Sequence, residues 1–288
     1  MGRSYPIGFT RATLLAITLV ASGVARAEAP VDGALLEAWV SAVGPRRSEE
    51  SFGNLVVRLA KVQLGRPYLV TKELDGPEWV HADLATFHCV SLVESSVAMA
   101  RCLWQGHADA SCFLGEIERL RYRDGHLVGF PSRLHYFSDW LENNAVRGNI
   151  ELLTRALGGR PRRQPFFFMT EHEATYAQMV HPEVRAAVRE GEVRLSNEDH
   201  VVLEREQLAS VTPALQDGDI VAVVGDKPGI LVSHTGLIAK GADGVARLLH
   251  ASSYHHQVLL TSADIAQYVL RRADRRGLMV ARPKEPGP

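Results

Sequence analysis

The sequence predicts an α+β fold in which helices come first along the chain and an antiparallel sheet follows. Residues 34–45 and 51–64 alternate apolar and polar positions with the helical period. The last third changes to β-rich runs at 219–224, 230–240 and 245–252, separated by the turn sequences "GDKPG" and "GADG". Such runs predict an antiparallel meander, and helices followed by strands favour the α+β class.

Length and charge limit the kind of protein. The chain has 288 residues, of which 46% are hydrophobic, and this fits one large domain or two small ones. Its 32 basic and 33 acidic side chains give a net charge of -1. That balance gives no reason to expect a polyanionic partner, so nucleic acid is set aside as a ligand.

The first 27 residues have the pattern of a secretory signal peptide. Arg3 and Arg11 precede the apolar stretch "TLLAITLVASGVA", which is followed by Ala25-Arg26-Ala27. The stretch is roughly 13 residues long, shorter than the ~20 that span a bilayer, although an N-terminal anchor is the alternative. We expect cleavage after Ala27, no stable membrane insertion afterwards, and a single exported, periplasmic or secreted domain over residues 28–288.

Cys89 begins a predicted core helix. In "TFHCVSLVES" and the residues that follow, apolar side chains recur with 3-4-3-4 spacing from Val90 to Trp104, and further apolar positions widen the stripe. This helix is expected to pack on several sides, including across the sheet. Upstream, "GPEWVHADLATFH" predicts a short strand and a loop. Residues 171–210 are charged and partly helical, which favours a surface insertion.

The three cysteines suggest one unpaired thiol. Cys102 and Cys112 flank the short polar connection "LWQGHADAS" and could form a local disulfide. Cys89 would then be left over, and an odd thiol in an exported protein is either an intermolecular link or a reactive group.

Cys89 has candidate partners for nucleophilic catalysis. The positive end of its helix and the nearby N–H groups favour thiolate, but an acyl-transfer nucleophile also needs a base and a group that orients the base. If the "GADG" turn pairs residues 240 and 245, His234 falls about opposite residue 251. A bulge, or a loop of three or five residues, would place His234 and His250 on one face, with His234 as the base and His250 orienting it. The alternative is a buried core thiol with structural histidines.

Metal catalysis is the rival chemistry, because the chain has 12 histidines. The string "HEATYAQMVH" from His172 has Tyr176 where a helical zinc pair needs a second histidine, and no Cys-x-x-Cys occurs. We therefore expect no metal and no cofactor. The doublet His255-His256 is expected in an exposed loop beside the cleft.

Several strings resemble a known family. "GRPYLV", "HCVSLVES", "GDIVAVV", "VSHTGLI" and "LLHASS" resemble the NlpC-type papain-like cysteine peptidases of bacterial cell walls. "RLRYRDGHLVGFPSRLHYFSDWLENN" at 119–144 and "PFFFMTEHEATY" resemble the N-acetylmuramoyl-L-alanine amidase-like branch of that superfamily. The similarity extends over most of residues 50–275. It implies a papain-like fold, in which an antiparallel sheet packs against a helix carrying the nucleophilic cysteine at its N-terminus, with added helical segments.

The resemblance also implies residue roles. Cys89 matches the nucleophile, His234 the general base, His250 the orienting group, and Tyr68 a tyrosine that lines the site and could bind the oxyanion. Arginines and aromatic rings of the branch-specific strings suit an acidic ligand that contains sugar. These candidate substrate-binding residues are Arg121, Arg123, Arg133, His135, Tyr136, Asp139 and Trp140. Some could instead be structural, for example through an Arg133–Asp139 pair.

One departure from the superfamily stands next to the nucleophile. His88 occupies the position where Asp is usual, and Ser91 stands where Thr is common. His88 could add positive field and lower the pKa of Cys89, or it could replace a structural hydrogen bond of the usual Asp.

The expected function is hydrolysis of an amide bond in peptidoglycan or muropeptides, by preference the N-acetylmuramoyl-L-alanine bond. An endopeptidase cutting the stem peptide at its D-glutamyl bond is the nearest alternative, because one scaffold supports both activities. The alternative from another class is a non-catalytic peptidoglycan-binding module.

Overall fold

The computed structural model describes Met1, residues 30–69 and residues 77–287. The predicted signal peptide over residues 1–27 and the expected start of the mature chain at residue 28 lie outside these ranges, apart from Met1. Within them, none of the helices has the length and apolar character that crossing a membrane requires.

The elements follow the predicted order of helices before the main strands. The helices are α1 (Gly33–Val43), α2 (Phe52–Val62), α3 (Cys89–Trp104), α4 (Ala110–Arg121), α5 (Phe137–Val146), α6 (Phe168–Glu171), α7 (Pro182–Asn197), α8 (Leu208–Val211) and α9 (Ile265–Leu270). The strands are β1 (Ile150–Leu152), β2 (Arg160–Arg162), β3 (His200–Glu204), β4 (Ile220–Gly225), β5 (Val232–Lys240), β6 (Ala246–Ser252), β7 (Gln257–Asp264) and β8 (Arg275–Pro283).

The strands form one antiparallel sheet in the order β2-β3-β8-β4-β5-β6-β7, with β1 beside β8. The predicted meander is confirmed as β4, β5 and β6, and β7 continues it. The strand β4 is fully buried, so both faces of the sheet centre are covered. The fold is therefore α+β with an antiparallel sheet, as the sequence predicts.

The helix α3 begins at Cys89, as predicted, and it is the central helix of the core. His88 is its N-cap, since the Nδ1 atom accepts a hydrogen bond from the Ser91 N–H at 3.3 Å, and Ser91 Oγ accepts one from the His88 N–H at 3.0 Å. Every residue from Leu92 to Cys102 is buried, because α2 and α4 flank the helix and β5 and β6 lie beneath it. This arrangement fixes Cys89 against the sheet.

Two sequence-based predictions are wrong. Residues 77–88 contain no extended strand; Asp83 Oδ1 instead accepts hydrogen bonds from the backbone N–H groups of Ala85 and Thr86, which turns the chain before α3. Residues 171–210 are not simply a surface insertion, since β3 pairs with β8 in the main sheet and His200 is completely buried. The strand β3 was missed because its short run is embedded in charged sequence.

The local disulfide considered for Cys102 and Cys112 is present, with a Cα–Cα distance of 5.9 Å, and Cys89 is free. The bridge joins the end of α3 to the start of α4. It therefore ties together α3, which begins at Cys89, and α4, which ends at Arg121.

The first turn of α2 touches the backbone that leads into β4. A Cβ atom on Gly53 would lie 2.1 Å from the carbonyl oxygen of Asp217, and one on Gly218 would lie 2.5 Å from the Gly53 Cα. Gly218 also has a φ of +84°, which side chains rarely adopt. Glycine is thus needed at position 53 because the backbone of Asp217 and Gly218 packs against it, and not for backbone flexibility.

We predict that Gly53→Ala lowers the free energy of unfolding by about 1–3 kcal/mol, because the backbone of residues 217–218 must move. Urea unfolding measures the change. Gly115→Ala is the matched control in another helix: its Cβ would meet nothing within 4 Å, so it should stabilise α4 slightly. Equal effects of the two substitutions would contradict the packing argument.

Candidate active site

Cys89 presents a free, half-buried thiol at the start of α3. Burial raises the pKa of this thiol, while the backbone N–H groups of Thr235, Val90 and Cys89 itself act to lower it. The Thr235 N–H places the sulfur against β5, one residue from His234. The sequence-based expectation of a lowered pKa is therefore wrong in direction, because burial outweighs the N–H groups at the helix start.

His234 and His250 meet across β5 and β6. Lys240 pairs with Ala246 and Leu237 with Leu249, so the connecting loop has five residues, 241–245. This is one of the loop lengths predicted to put both histidines on one face. His234 Nε2 lies 2.6 Å from His250 Nδ1, with the rings nearly perpendicular at 86°.

Gly236 makes room for this pair. A Cβ atom at this position would lie 2.7 Å from the Leu249 carbonyl oxygen and 2.9 Å from the His250 Cβ. Any side chain here would press on the backbone of β6 and on His250 itself. The glycine therefore allows His250 to reach across to His234.

Both histidines are neutral at pH 7. Burial, together with the charge of Arg275, lowers the pKa of His234 to about 4. Burial, His234 and Arg275 lower the pKa of His250 to about 3. Only one of the two facing nitrogens can carry the proton; if His234 Nε2 donates to His250 Nδ1, the Nδ1 atom of His234 is unprotonated and able to accept a proton.

Tyr68 lies beside the thiol. Its backbone N–H donates to the His256 carbonyl at 2.9 Å, and it bridges to Phe87, two residues before Cys89. Burial raises the pKa of Tyr68, and negative charge on Cys89 raises it further. The doublet His255-His256 thus lies in the exposed β6–β7 turn next to this group, as expected.

The sequence analysis missed Tyr268 and Arg275. The Tyr268 ring lies 5.5 Å from that of His250, and the Arg275 guanidinium stacks 3.7 Å from the Tyr268 ring centroid. Burial raises the pKa of Tyr268 against the opposing effect of Arg275, and charge on Cys89 adds to the rise. No motif marks either residue; only the return of α9 and β8 to the histidines brings them close.

His88 acts as a structural cap and not as a charged neighbour. Burial, Arg133 and Arg121 lower its pKa to about 4, so the ring is neutral at pH 7. Its Nδ1 atom caps α3, as an Asp side chain would. Of the two roles considered for His88, the structure supports replacement of the usual hydrogen bond.

Two of the seven candidate substrate-binding residues reach the region beside Cys89. Arg121 and Arg133 line a cavity of about 30 Å³ together with His88. Arg121 is held by Glu94 at 2.9 Å, and Arg133 pairs with Glu78 at 3.3 Å and not with Asp139.

The other five residues lie outside this cavity and tie the fold together. Arg123 and Arg194 both pair with Asp139, the second at 2.9 Å. The remaining contacts are Tyr136 Oη to Glu192 at 2.5 Å, His135 Nε2 to the Phe130 carbonyl at 3.0 Å, and Trp140, fully buried, stacked on Phe137. These contacts give the five residues structural roles, and their part in substrate binding stays a prediction. The Trp140 Nε1 atom has no partner among the described residues.

Comparison with known proteins identifies the class of protein. Residues 58–277 match the AmiA-like family model, described as N-acetylmuramoyl-L-alanine amidase-like. The chain belongs to this family, and it is an amidase-like enzyme for which peptidoglycan is the implied substrate.

Solved structures resemble this chain over most of its length. An N-acetylmuramoyl-L-alanine amidase from Bacteroides uniformis ATCC 8492 is 30% identical, with a TM-score of 0.75, over 81% of this chain and 99% of its own. A Bacteroides fragilis protein named as a candidate xylanase is 31% identical over 77% of this chain and 98% of its own, with a TM-score of 0.72. A Legionella pneumophila protein, 13% identical over 88% and 95% of the two chains, shares the fold with a TM-score of 0.63. No curated protein matches the sequence significantly.

We predict that iodoacetamide alkylates Cys89 slowly at pH 7, because only the thiolate reacts and burial raises the pKa of the thiol. The rate should rise about tenfold per pH unit between pH 6 and 8. Mass spectrometry of the intact chain reports a single site, since the other two cysteines are bonded to each other. A plateau reached below pH 7 would instead indicate a preformed thiolate–imidazolium pair.

We also predict that stability falls as the pH drops from 7 to 5. The pKa values of His88 and His234 are lowered to about 4, and those of His135 and His250 to about 3. In the unfolded chain these histidines bind protons near pH 6.5, whereas in the folded chain they do so only at lower pH. Each histidine therefore lowers the free energy of unfolding by roughly 2 kcal/mol between pH 7 and pH 5. Urea unfolding at pH 7 and pH 5 measures the loss.

The control for this prediction is His135→Gln, remote from the thiol. Gln cannot be protonated, so the free energy of unfolding of the variant should differ between pH 7 and pH 5 by roughly 2 kcal/mol less than that of the native protein. An unchanged difference would mean that His135 titrates normally in the folded protein.

Proposed function

We propose that the protein is an exported cysteine hydrolase that cleaves the N-acetylmuramoyl-L-alanine amide bond of peptidoglycan or of released muropeptides. The observation that carries the proposal is the free thiol of Cys89 at the start of α3, facing the strand on which His234 is paired with His250 at 2.6 Å. A thiol, a base and a group that orients the base are the parts required for acyl transfer.

In the attack step, Cys89 Sγ bonds to the amide carbonyl carbon while its proton passes to His234 Nδ1. The carbonyl oxygen gains negative charge. The Cys89 backbone N–H and the Tyr68 hydroxyl are the donors proposed for this oxyanion. The imidazolium form of His234 is held through its Nε2–H bond to His250 Nδ1, so its ring stays aligned during transfer.

Collapse of the intermediate breaks the carbon–nitrogen bond, and His234 returns the proton to the leaving amine. This leaves a thioester on Cys89, which water activated by His234 hydrolyses. Because the pKa of the thiol is raised and that of His234 is lowered, the ion pair is not formed in advance. Proton transfer therefore accompanies attack on the bound substrate.

The NlpC-type papain-like fold and the periplasmic location belong to the same proposal. A cysteine-bearing helix packed across an antiparallel sheet, with histidines on two adjacent strands, supports the fold. The signal-peptide pattern supports export, and the Cys102–Cys112 disulfide is in keeping with an oxidising compartment.

Rival activities make different demands on the site. A glycosidase such as a xylanase needs two carboxylates about 5–9.5 Å apart across the glycosidic bond, whereas a thiol and an imidazole suit acyl transfer. An endopeptidase would use the same three residues on a bond further along the stem. A binding module would need none of them.

Incubation of the mature protein with defined muropeptides, with and without the anhydro sugar end, tests the proposal by mass spectrometry. We expect release of the intact stem peptide beginning at L-alanine. A Cys89→Ser variant, matched for thermal stability, should release none, because its hydroxyl is a far weaker nucleophile beside a neutral histidine.

Two results would contradict the proposal. Shortened stems that remain attached to the sugar would identify an endopeptidase. Binding of muropeptides without any turnover would identify a binding module. Comparing the two forms of the sugar end separates intact wall from released fragments as substrate.

A further inference from the structure

A small polar cavity opens beside the first turn of α3, one residue from the thiol. His88, Ser91, Ser95, Arg121 and Arg133 contribute to its lining. Its volume of about 30 Å³ exceeds the roughly 10–15 Å³ that one water molecule requires, and it suits the head of a carboxylate entering from the mouth. The positive end of the 16-residue helix α3 points to the same place.

The cavity contains hydrogen-bond donors that have no partner within residues 30–69 and 77–287. Ser95 is 1% exposed, and its hydroxyl has no hydrogen-bond partner among the described residues. Because His88 Nδ1 accepts from the Ser91 N–H, the neutral ring carries its proton on Nε2. Among the residues that the structure describes, the Arg133 side chain bonds to Glu78 at 3.3 Å and has further N–H groups available.

Among the described residues, two further carboxylates near the cavity, Asp83 and Glu94, accept from other groups instead of from these donors. Asp83 faces the cavity, but its oxygens accept from the backbone of Ala85 and Thr86 and from the Thr86 hydroxyl. Glu94 is bound by Arg121 through two nitrogens, each at 2.9 Å. A buried hydroxyl left without a partner costs about 1–3 kcal/mol, so an occupant with several acceptor lone pairs would stabilise this site.

We infer that this cavity is the subsite for a free carboxylate of the stem peptide. The first such group beyond the proposed scissile bond is the α-carboxylate of the γ-linked D-glutamate, one residue after L-alanine. The inference rests on the proposed function, because it assumes a peptidoglycan stem in the cleft. Arg133, Ser95 and His88 are the donors assigned to the carboxylate, and Arg121 supports them.

The residue at position 88 sets the charge of the subsite. Asp, the residue usual in the superfamily that the sequence resembles, would cap α3 equally well but would place a negative charge beside the carboxylate. Neutral His88 caps the helix and presents an N–H group in its place. This chain is therefore suited to stems whose D-glutamate is not amidated.

The test compares two substrates that differ by one group: N-acetylmuramoyl-L-alanyl-D-glutamate and its D-isoglutamine analogue, in which the α-carboxylate is an amide. We expect kcat/KM for the acid to exceed that for the amide by about tenfold or more, as a charge-assisted bond exceeds a neutral one. Taking the ratio of the two kcat/KM values cancels any change in the chemical step that affects both substrates equally.

Substitutions at position 88 separate charge from capping. His88→Asn and His88→Asp both cap α3 and have nearly the same shape, so their folding should be alike. The Asn variant should keep the acid preference within about threefold, and the Asp variant should lose about tenfold or more of it through like-charge repulsion. Equal ratios for the two variants would overturn the assignment.

Arg133→Gln should bring the ratio close to one, whereas Arg123→Gln, which breaks an arginine–aspartate pair outside the cavity, should leave the ratio unchanged. Ser95→Ala provides a variant that cannot disturb an ion pair. It should lower the ratio several-fold while raising stability, since it removes an unpartnered buried hydroxyl. An unchanged ratio in both Arg133→Gln and Ser95→Ala counts against the subsite.

Calorimetry of the binding of both compounds to a Cys89→Ala protein tests the subsite without cleavage, and so separately from the proposed function. Tighter binding of the acid by about tenfold, with no cleavage of either compound by the native enzyme, would refute the proposed function and leave the subsite standing. Equal binding and equal turnover of acid and amide would show that the cavity holds only water.

Discussion

The register of β5 against β6 is the constraint on which the candidate site depends. Side chains alternate between the two faces of a strand, so a loop one residue longer or shorter than 241–245 would turn His250 to the opposite face from His234. The bond of 2.6 Å between them then could not form. Gly236 is a second requirement of the same pairing, because a side chain there would collide with β6. Turn length and one glycine therefore determine whether the sheet carries a histidine pair.

The features that the sequence predicts well are the local ones. The start of α3 at Cys89, the meander of β4 to β6 and the pairing of Cys102 with Cys112 each follow from spacing within a short stretch. The sequence limited the relative placement of His234 and His250 to a question of loop length. It could not show whether the two side chains share a face, because one residue more or less in the turn moves one of them to the opposite face.

The features that the sequence could not predict depend on distant partners. Tyr136 and Asp139 stand in a string that resembles an amidase-specific motif. Tyr136 nevertheless bonds to Glu192, and Asp139 binds Arg194 in addition to Arg123, so that both have partners on α7 more than fifty residues away. Tyr268 and Arg275 reach the histidines only because α9 and β8 fold back on the sheet. Arginine and aromatic residues serve ligand binding and structural pairing equally well, so residue type alone could not separate Arg133 from Arg123.

The need for an N-cap at the start of α3 does not fix the charge of residue 88. The N-cap must accept a hydrogen bond from the Ser91 N–H, and a carboxylate, an amide or an imidazole nitrogen can all do so. These side chains differ in the charge that they place between Cys89 and the two arginines. Burial and the arginines hold His88 neutral, whereas the positive end of the helix would also favour a negative cap. Under the inferred subsite, the choice of residue therefore acts on the ligand beside the helix as well as on the helix itself. Under the proposed function, position 88 is therefore where enzymes that share Cys89, His234 and His250 can differ in the substrates they accept.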